Sequence, residues 1–208
     1  MHFFNTVLSF AAFTACITPV ISAPVAEPVM DTTSLIVKRG ELGDTAQTCY
    51  DHVKEKCDDI TAKIEAAVDA EIDVDVAAAI VVDLQVIVDL IVKLGVDLQA
   101  KIAAGGLVVA DVQACVSIVI AIVNLCASIL VKIHASLSAS VSVSVFADVL
   151  VQLAACVKLV INLLISVCLG EAGGLSVIDL ALVADLVVQL TACLTVFVNA
   201  CVALGVSV

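Results

Sequence analysis

The chain has no tryptophan and one tyrosine, Tyr50, among its 208 residues, and aromatic residues make up 3% of the sequence. It therefore lacks the aromatic belt that usually anchors membrane spans at the bilayer surface. Basic residues are also scarce, since seven lysines, no arginine and nineteen acidic residues follow position 39. Because phosphate binding requires a basic face, this balance excludes nucleic acid as a partner.

The usual sequence signatures of catalysis and metal binding are missing as well. The chain has no CxxC pair that His52 or His134 would complete as a zinc site. No serine lies within GxSxG, and neither histidine is placed to activate a nucleophile. The acidic runs of the first two predicted helices do not match a calcium-binding EF-hand loop. We therefore predict that the protein is not an enzyme and that it binds no metal and no cofactor.

What the sequence does contain is a repeated apolar helix. The segment 147–162, ADVLVQLAACVKLVIN, returns at 184–199 as ADLVVQLTACLTVFVN, with eight of sixteen positions identical. A looser copy begins at Ala110. Each of the two close copies keeps three polar residues within about 80° of one another around the helix, so each has one narrow polar line. The residues of these lines are Asp148, Gln152 and Asn162 in the first copy and Asp185, Gln189 and Asn199 in the second.

Helical periodicity and glycine-rich breaks predict an all-α fold, a bundle of about five long, very apolar helices stapled by disulfides, with the internal helix repeat. The predicted helices cover residues 44–70, 74–103, 107–136, 146–169 and 176–204. Gly105 and Gly106 should end the second helix. The link 138–145, SASVSVSV, alternates like a strand, and we expect an extended loop there. Ser176 and Asp179 resemble a capping box at the start of the fifth helix.

The first 39 residues predict export and processing. Residues 1–23 have the length and apolar centre of a signal peptide. Residues 24–39 carry two prolines and predict a pro-segment ending at Lys38 and Arg39, a pair that resembles the cut site of kexin- and furin-type proteases. The alternative is a solvated loop. Residues 40–208 then form the helical bundle domain, and we expect an extracellular protein, in or near the cell wall.

Eight cysteines remain after Cys16 leaves with the signal peptide, an even number that is typical of a disulfide framework in a secreted chain. They fall in pairs on the first, third, fourth and fifth helices: Cys49 and Cys57, Cys115 and Cys126, Cys156 and Cys168, Cys193 and Cys201. Two cysteines on one straight helix are too far apart to bridge at these spacings, so bridges must join different helices.

Matched spacings favour one set of bridges among the many possible. The first and fifth helices both space their cysteines by eight, which suits two antiparallel helices. The favoured set is Cys49–Cys201, Cys57–Cys193, Cys115–Cys168 and Cys126–Cys156. A parallel arrangement, with Cys49–Cys193 and Cys57–Cys201, satisfies the spacing equally well.

Eight cysteines also occur in hydrophobins, but those short chains have adjacent cysteine pairs and this one has none. With its signal peptide, its Lys38 and Arg39 site and its apolar helices from Val74 onward, the chain resembles small secreted Ala/Val/Leu-rich helical proteins of fungal walls and surfaces. That resemblance implies a structural role outside the cell.

Three functions follow from the sequence. The first is a non-enzymatic structural or surface-active protein of the cell wall or matrix, whose expected partners are lipid, another apolar surface or further copies of the chain. The second is a secreted carrier of lipid or of a small apolar ligand. The third is a multi-span membrane or pore-forming protein, because 62% of the residues are apolar and the mean hydropathy is +1.22.

Overall fold

The computed structural model describes residues 41–67, 72–137, 141–170 and 180–205. Within these ranges the chain forms five α-helices and one 3₁₀-helix. The helices are α1 Glu41–Ala66, α2 Val74–Ala104, α3 Val109–Ser136, the 3₁₀-helix Val143–Phe146, α4 Ala147–Cys168 and α5 Leu180–Ala203. The prediction of an all-α bundle of long, apolar helices is confirmed. The expected capping box at the start of the fifth helix lies outside the described residues.

Polar side chains and glycines define the ends of α2. Asp73 precedes the helix, and its carboxylate accepts a hydrogen bond of 2.8 Å from the Val76 N–H, as an N-cap residue should. Gly105 ends the helix with a positive φ of 76°, and its N–H donates to the Ile102 carbonyl at 3.1 Å. Only glycine adopts that backbone region without strain, so the predicted end of the helix is confirmed.

Helices α1 and α2 are antiparallel neighbours. Lys101, in the last turn of α2, donates to Glu41 at the start of α1 at 2.9 Å, and Lys63 near the end of α1 pairs with Asp83 in the first half of α2. Asp83 is the one buried charged residue of the described chain, at 7% exposure. Its ion pair with Lys63 compensates for the loss of water around the carboxylate and fixes the register of the two helices.

Helices α1 and α3 are parallel neighbours. The Leu42 N–H donates to Asp111 at 3.3 Å at one end, and Lys132 donates to Glu65 at 3.2 Å at the other. These contacts span almost the full length of both helices. The amphipathic helix α1 therefore covers α3 with its apolar stripe, and its charges remain at the surface.

Helix α2 also packs against α4, and these two are parallel. Gln85 contacts Gln152 at 3.4 Å near the start of both helices. Further along, a Cβ atom added to Gly95 would lie 3.4 Å from a methyl group of Val160, so the missing side chain permits close approach there. Helix α2 therefore packs against α1 and against α4.

Helix α5 completes a ring by packing against α3 and α4, so the neighbours follow the order α1, α2, α4, α5, α3 and back to α1. Gly205, just after α5, lies beside Val143, just before α4, as antiparallel helices require. The helices therefore alternate in direction along the chain, and α5 runs parallel to α1. The prediction that these two helices are antiparallel neighbours is wrong, because the ring places α2 and α3 against α1.

The two polar lines of the repeated helix lie on the outer surface, as an edge of a bundle requires. All six of their residues are exposed: Asp148, Gln152, Asn162, Asp185, Gln189 and Asn199. Equivalent positions of the two copies also share the core face. The buried equivalents are Val149 and Leu186, Leu153 and Leu190, Cys156 and Cys193, Val160 and Phe197, and Leu164 and Cys201. At these equivalent positions the two copies of the repeat therefore bury the same face of the helix.

The link before α4 differs from the prediction of an extended loop. Residues Val143–Phe146 form a 3₁₀ turn, in which the Ser142 hydroxyl accepts the Ser144 N–H at 3.3 Å. Alternation favours a strand only where a partner strand can pair with it, and serine hydroxyls here offer the backbone a local partner instead. The turn also places Phe146 in the core, at 0% exposure.

Candidate functional site

The eight cysteines predicted as disulfide candidates all point into the bundle. In the described ranges each one is a buried free thiol, and no disulfide joins any two of them. The predicted staples are therefore not part of this structure. The residues are Cys49, Cys57, Cys115, Cys126, Cys156, Cys168, Cys193 and Cys201.

Cys126 of α3 is the centre of the larger group of thiols. It is completely buried, and burial is the main reason that its pKa is raised well above that of a free thiol. The thiols of Cys57, Cys156, Cys49 and Cys201 raise that pKa further. Cysteines of four helices, α1, α3, α4 and α5, therefore lie near enough in the interior for their thiols to influence that of Cys126.

A second, smaller group lies towards the other end of α3. Burial raises the pKa of the Cys115 thiol to about 12, and Asp111 and Cys168 add smaller contributions. Two of the four predicted pairs, Cys115 with Cys168 and Cys126 with Cys156, therefore join thiols that influence each other across the bundle.

The other two predicted pairs, Cys49 with Cys201 and Cys57 with Cys193, join helices that are not neighbours in the ring. Cys193 of α5 faces α3, where its sulfur lies 3.8 Å from the Ile120 carbonyl oxygen and 3.8 Å from Asn124 Oδ1. Cys49 of α1 faces α2, with its sulfur 3.6 Å from the Leu90 carbonyl oxygen. Equal spacing along two helices does not make those helices neighbours, so the expectation that α1 packs against α5 is wrong, whereas the pairing of the thiols stays a prediction.

These thiols are poorly suited to chemistry. Burial is the first cause of the raised pKa at each of the eight, to about 12 at Cys49 and about 11 at Cys156, for example. A thiol with such a pKa stays protonated at neutral pH, whereas the thiolate is the nucleophile and the metal ligand. Among the described residues no group of three or more His, Cys, Asp or Glu side chains is arranged to hold a metal ion.

The processing residues Lys38 and Arg39 lie outside the described residues, as do the signal peptide and the pro-segment predicted before them. The described chain begins at Glu41, two residues after Arg39. A cut at the predicted site would therefore leave one residue, Gly40, ahead of α1.

An apolar groove of about 290 Å³ runs between α2 and α4. Gly95 widens its floor, and its walls are Val92, Val96 and Leu159, which are 49%, 61% and 70% exposed. We call this the α2–α4 groove. Its volume lies just below the range for small-molecule sites, about 300–1,000 Å³.

A smaller and more polar cleft of about 210 Å³ lies between α1 and α2. Thr45, Thr48, His52, Lys93 and Asp97 surround it, above a floor of Cys49, Leu90 and Leu94. Both threonine hydroxyls donate to carbonyls of the preceding turn of α1, so they are already satisfied within their own helix.

The outer surface of the bundle is amphiphilic. Twelve large apolar side chains are exposed in the described ranges, all of them valine or leucine: Val74, Val82, Val86, Val92, Val96, Val108, Val145, Val151, Leu159, Leu169, Val188 and Val202. Nine of them lie on α2, α4 and α5, three lie beside helix ends, and none lies on α1 or α3. The outer face of α3 instead carries a polar stripe of Ser117, Asn124, Ser128 and Lys132.

Among the described residues, three segments have the length and the apolar composition to cross a membrane: Val109–Ser136, Val143–Cys168 and Ala181–Ala203. Half of the most apolar window is buried inside the bundle in the first two segments, and 28% in the third. The bundle thus buries in its own core half of this window in the first two segments and less than a third of it in the last.

Comparison of the chain with models of protein families, with curated proteins and with solved structures finds no match.

Two structural features had no signal in the sequence. In the sequence, Asp111 is an ordinary acidic residue in the first turn of a predicted helix. Only the fold brings its carboxylate to the start of α1. Gly95 reads as an isolated glycine within a helix, and only the packing of α2 against α4 makes it the floor of a groove.

Proposed function

We propose that the protein is a non-enzymatic, secreted, surface-active protein that adsorbs to apolar interfaces in the cell wall or extracellular matrix. The observation that carries this proposal is the set of exposed valine and leucine side chains on the neighbouring helices α2, α4 and α5, while α1 and α3 expose none. The free energy falls when such a surface turns its exposed apolar side chains towards air, lipid or another apolar surface. The polar lines keep the remaining faces in water.

The charge of the chain supports adsorption over binding to anionic surfaces. Its formal net charge is −12, so anionic lipid headgroups and nucleic acids repel it. The same charge keeps the molecules apart in solution. Apolar surface, rather than attraction between charges, is then the source of affinity for an interface.

Surface-pressure measurements at an air–water interface test this proposal. The variant carries Val82→Thr, Val96→Thr, Val188→Thr and Leu159→Gln, at four sites that are each more than 60% exposed. Each change removes roughly 0.5–1 kcal/mol of apolar transfer free energy, so the variant should need about thirty-fold more protein, or more, for equal pressure. Helicity measured by circular dichroism should not change.

The matched control carries Ala78→Ser, Ala100→Ser, Ala155→Ser and Ala192→Ser, four exposed positions on the same helices. This control adds hydroxyls without removing large apolar groups, so it should adsorb like the parent. Equal adsorption by all three proteins would refute the proposal. Membrane association that resists carbonate washing would favour the alternative in which α3, α4 and α5 span a bilayer.

We also propose that the secreted form contains disulfides. Eight cysteines placed two to a helix on α1, α3, α4 and α5 form the even set that an oxidising compartment converts to bridges while the chain folds, before burial raises the pKa of the thiols. The thiols around Cys126 come from α1, α4 and α5, so a bridge from Cys126 would join α3 to another helix of the ring.

A second candidate function is a carrier of an apolar molecule, and the α2–α4 groove is the observation that favours it. The walls Val92, Val96 and Leu159 present an apolar surface that neither helix covers. Glutamines lie near its ends, Gln99 among its lining residues and the Gln85–Gln152 contact further towards the start of both helices. An apolar chain lying along the groove would bury these walls.

Solvent extraction of the secreted protein followed by mass spectrometry tests the carrier function. A carrier should release one apolar molecule per chain. Val96→Lys, which puts a charge on the groove wall, should abolish that release, and Val82→Lys, at a similarly exposed site outside the groove, should not. No extractable molecule from the parent, or equal loss in both variants, would refute the carrier function.

A further inference from the structure

The outward face of α2 carries two opposite charges between apolar residues. Six exposed residues lie within about 80° of one another around the helix, at about 100° per residue, and we call them the outer line of α2. They are Val82, Val86, Asp89, Lys93, Val96 and Ala100. Helices α1 and α4 contact α2 through other residues, such as Asp83 and Gln85, so they leave this line uncovered.

The two charges of the outer line have no ion-pair partner among the described residues. Five ion pairs join residues of the described ranges, and neither Asp89 nor Lys93 takes part in any of them. The Asp89 carboxylate accepts only a long contact of 3.4 Å from the Gln85 amide. Although Asp89 and Lys93 are one turn apart on the same helix, they do not pair with each other. Both charges are therefore available to a partner outside the bundle.

The outer line is complementary to a second copy of itself in the antiparallel direction. With Ile91 at the midpoint, each residue of the line faces the partner residue that is equally far from Ile91 on the other side. The facing pairs are Val82 with the partner's Ala100, Val86 with the partner's Val96, and Asp89 with the partner's Lys93. Symmetry forms each contact twice, so two ion pairs lie at the centre and apolar contacts lie on both sides of them.

We propose that the outer line of α2 is the interface of a two-fold symmetric dimer of this chain, in which Asp89 of each copy pairs with the partner's Lys93. A two-fold axis requires that one surface patch be complementary to itself, and the outer line meets that requirement. Opposite charges that meet across an interface also fix its register and exclude other pairings.

The dimensions of the line predict a weak dimer. Between Val82 and Ala100 it is about 27 Å long, at 1.5 Å per residue. The side chains of Val82, Val86 and Val96 are 64%, 37% and 61% exposed, so the contact would bury apolar surface on both sides of the charges. Because one helix from each copy forms the contact, the buried area belongs to the small, transient class of interfaces, below about 1,200 Å².

The net charge opposes this association over long distances but not at contact. Each chain carries a formal charge of −12, and physiological salt screens the resulting repulsion beyond about 8 Å. The ion pairs between Asp89 and the partner's Lys93 act at shorter range than that. Only a matched surface can therefore bring two copies together.

Dimer formation is separate from the proposed adsorption to apolar interfaces. The exposed valines of α5, Val188 and Val202, lie outside the outer line and stay uncovered in the dimer. The dimer is measured in bulk solution, whereas adsorption is measured at an air–water interface. Failure of either proposal therefore leaves the other standing.

Sedimentation equilibrium of the secreted protein over a series of concentrations tests the dimer. The parent should be a reversible mixture of monomer and dimer. Asp89→Lys and Lys93→Glu each replace two attractive contacts by two repulsive ones, so each variant should dimerise about ten-fold more weakly, or worse. Both positions are exposed, so helicity measured by circular dichroism should not change.

Mixing the two variants separates a specific contact from an effect of net charge. When an Asp89→Lys chain meets a Lys93→Glu chain, position 89 of each copy again faces the opposite charge at position 93 of its partner. The mixture should therefore form a heterodimer about as tightly as the parent forms its dimer. The double variant, with Asp89→Lys and Lys93→Glu in one chain, should recover in the same way.

The matched control is Asp185→Lys, which makes the same change of charge at an exposed position of α5 and should leave the dimer intact. A parent that stays monomeric at every concentration would overturn the proposal. Dimers that persist unchanged in both single variants would overturn it too, as would a mixture that associates no better than its two components.

Discussion

Replacement of Cys126 by alanine is expected to lower the free energy of unfolding of the oxidised, secreted protein by about 2–5 kcal/mol. Cys126 lies at the centre of the thiol group that four helices share, so any bridge it forms ties α3 to a second helix. Such a bridge reduces the freedom of the unfolded chain, and the effect grows with the length of the loop it closes. Chemical denaturation followed by circular dichroism measures the loss.

The control for this prediction is the same substitution measured in reductant. Without a bridge, the change removes one buried sulfur and leaves a small cavity, which costs roughly 1 kcal/mol. The difference between oxidised and reduced conditions is therefore the contribution of the disulfide. Equal losses under both conditions, together with eight titratable thiols in the untreated protein, would show that Cys126 is a core residue only.

The sequence predicts the helices well because their signal is local. Gly105 and Asp73 set the limits of α2 through backbone geometry and a side-chain hydrogen bond, both of which depend on near neighbours in the chain. The exposed polar lines follow from the helical period alone. The link before α4 was mispredicted because alternating serine and valine are compatible with both an extended segment and a 3₁₀ turn. The chain forms the 3₁₀ turn, and Phe146 at its end is buried in the core.

The arrangement of the helices could not be predicted, because it depends on which apolar faces meet. The predicted pairing of α1 with α5 relied on equal cysteine spacing, and spacing fixes distance along a helix but not the identity of its neighbour. The contacts that set the ring, such as the Gly43 N–H with Asp111 or Lys63 with Asp83, join residues whose types are common at helix surfaces. Nothing in their sequence context pairs them.

The packing of α5 against the ring is expected to depend on Phe197. Phe197→Ala should lower the free energy of unfolding by about 3–5 kcal/mol. The side chain is completely buried, whereas the equivalent position in the other copy of the repeat is the smaller Val160. Partial collapse around a truncated phenylalanine leaves a cavity, and the surrounding apolar groups lose their packing contacts. At about 2–4 °C per kcal/mol for a domain of this size, the melting temperature should fall by roughly 6–20 °C.

The matched control is Val188→Ala, on the outer face of the same helix at 65% exposure, which should change stability by less than about 0.5 kcal/mol. Because α5 packs chiefly against α3 and α4 among the described helices, loss of its anchor should expose the apolar faces of those two helices before the α1–α2 pair separates. Hydrogen exchange should then show faster exchange in α5 than in α1 in the Phe197→Ala protein. Uniform acceleration across all five helices would contradict this order and show that the ring unfolds as one unit.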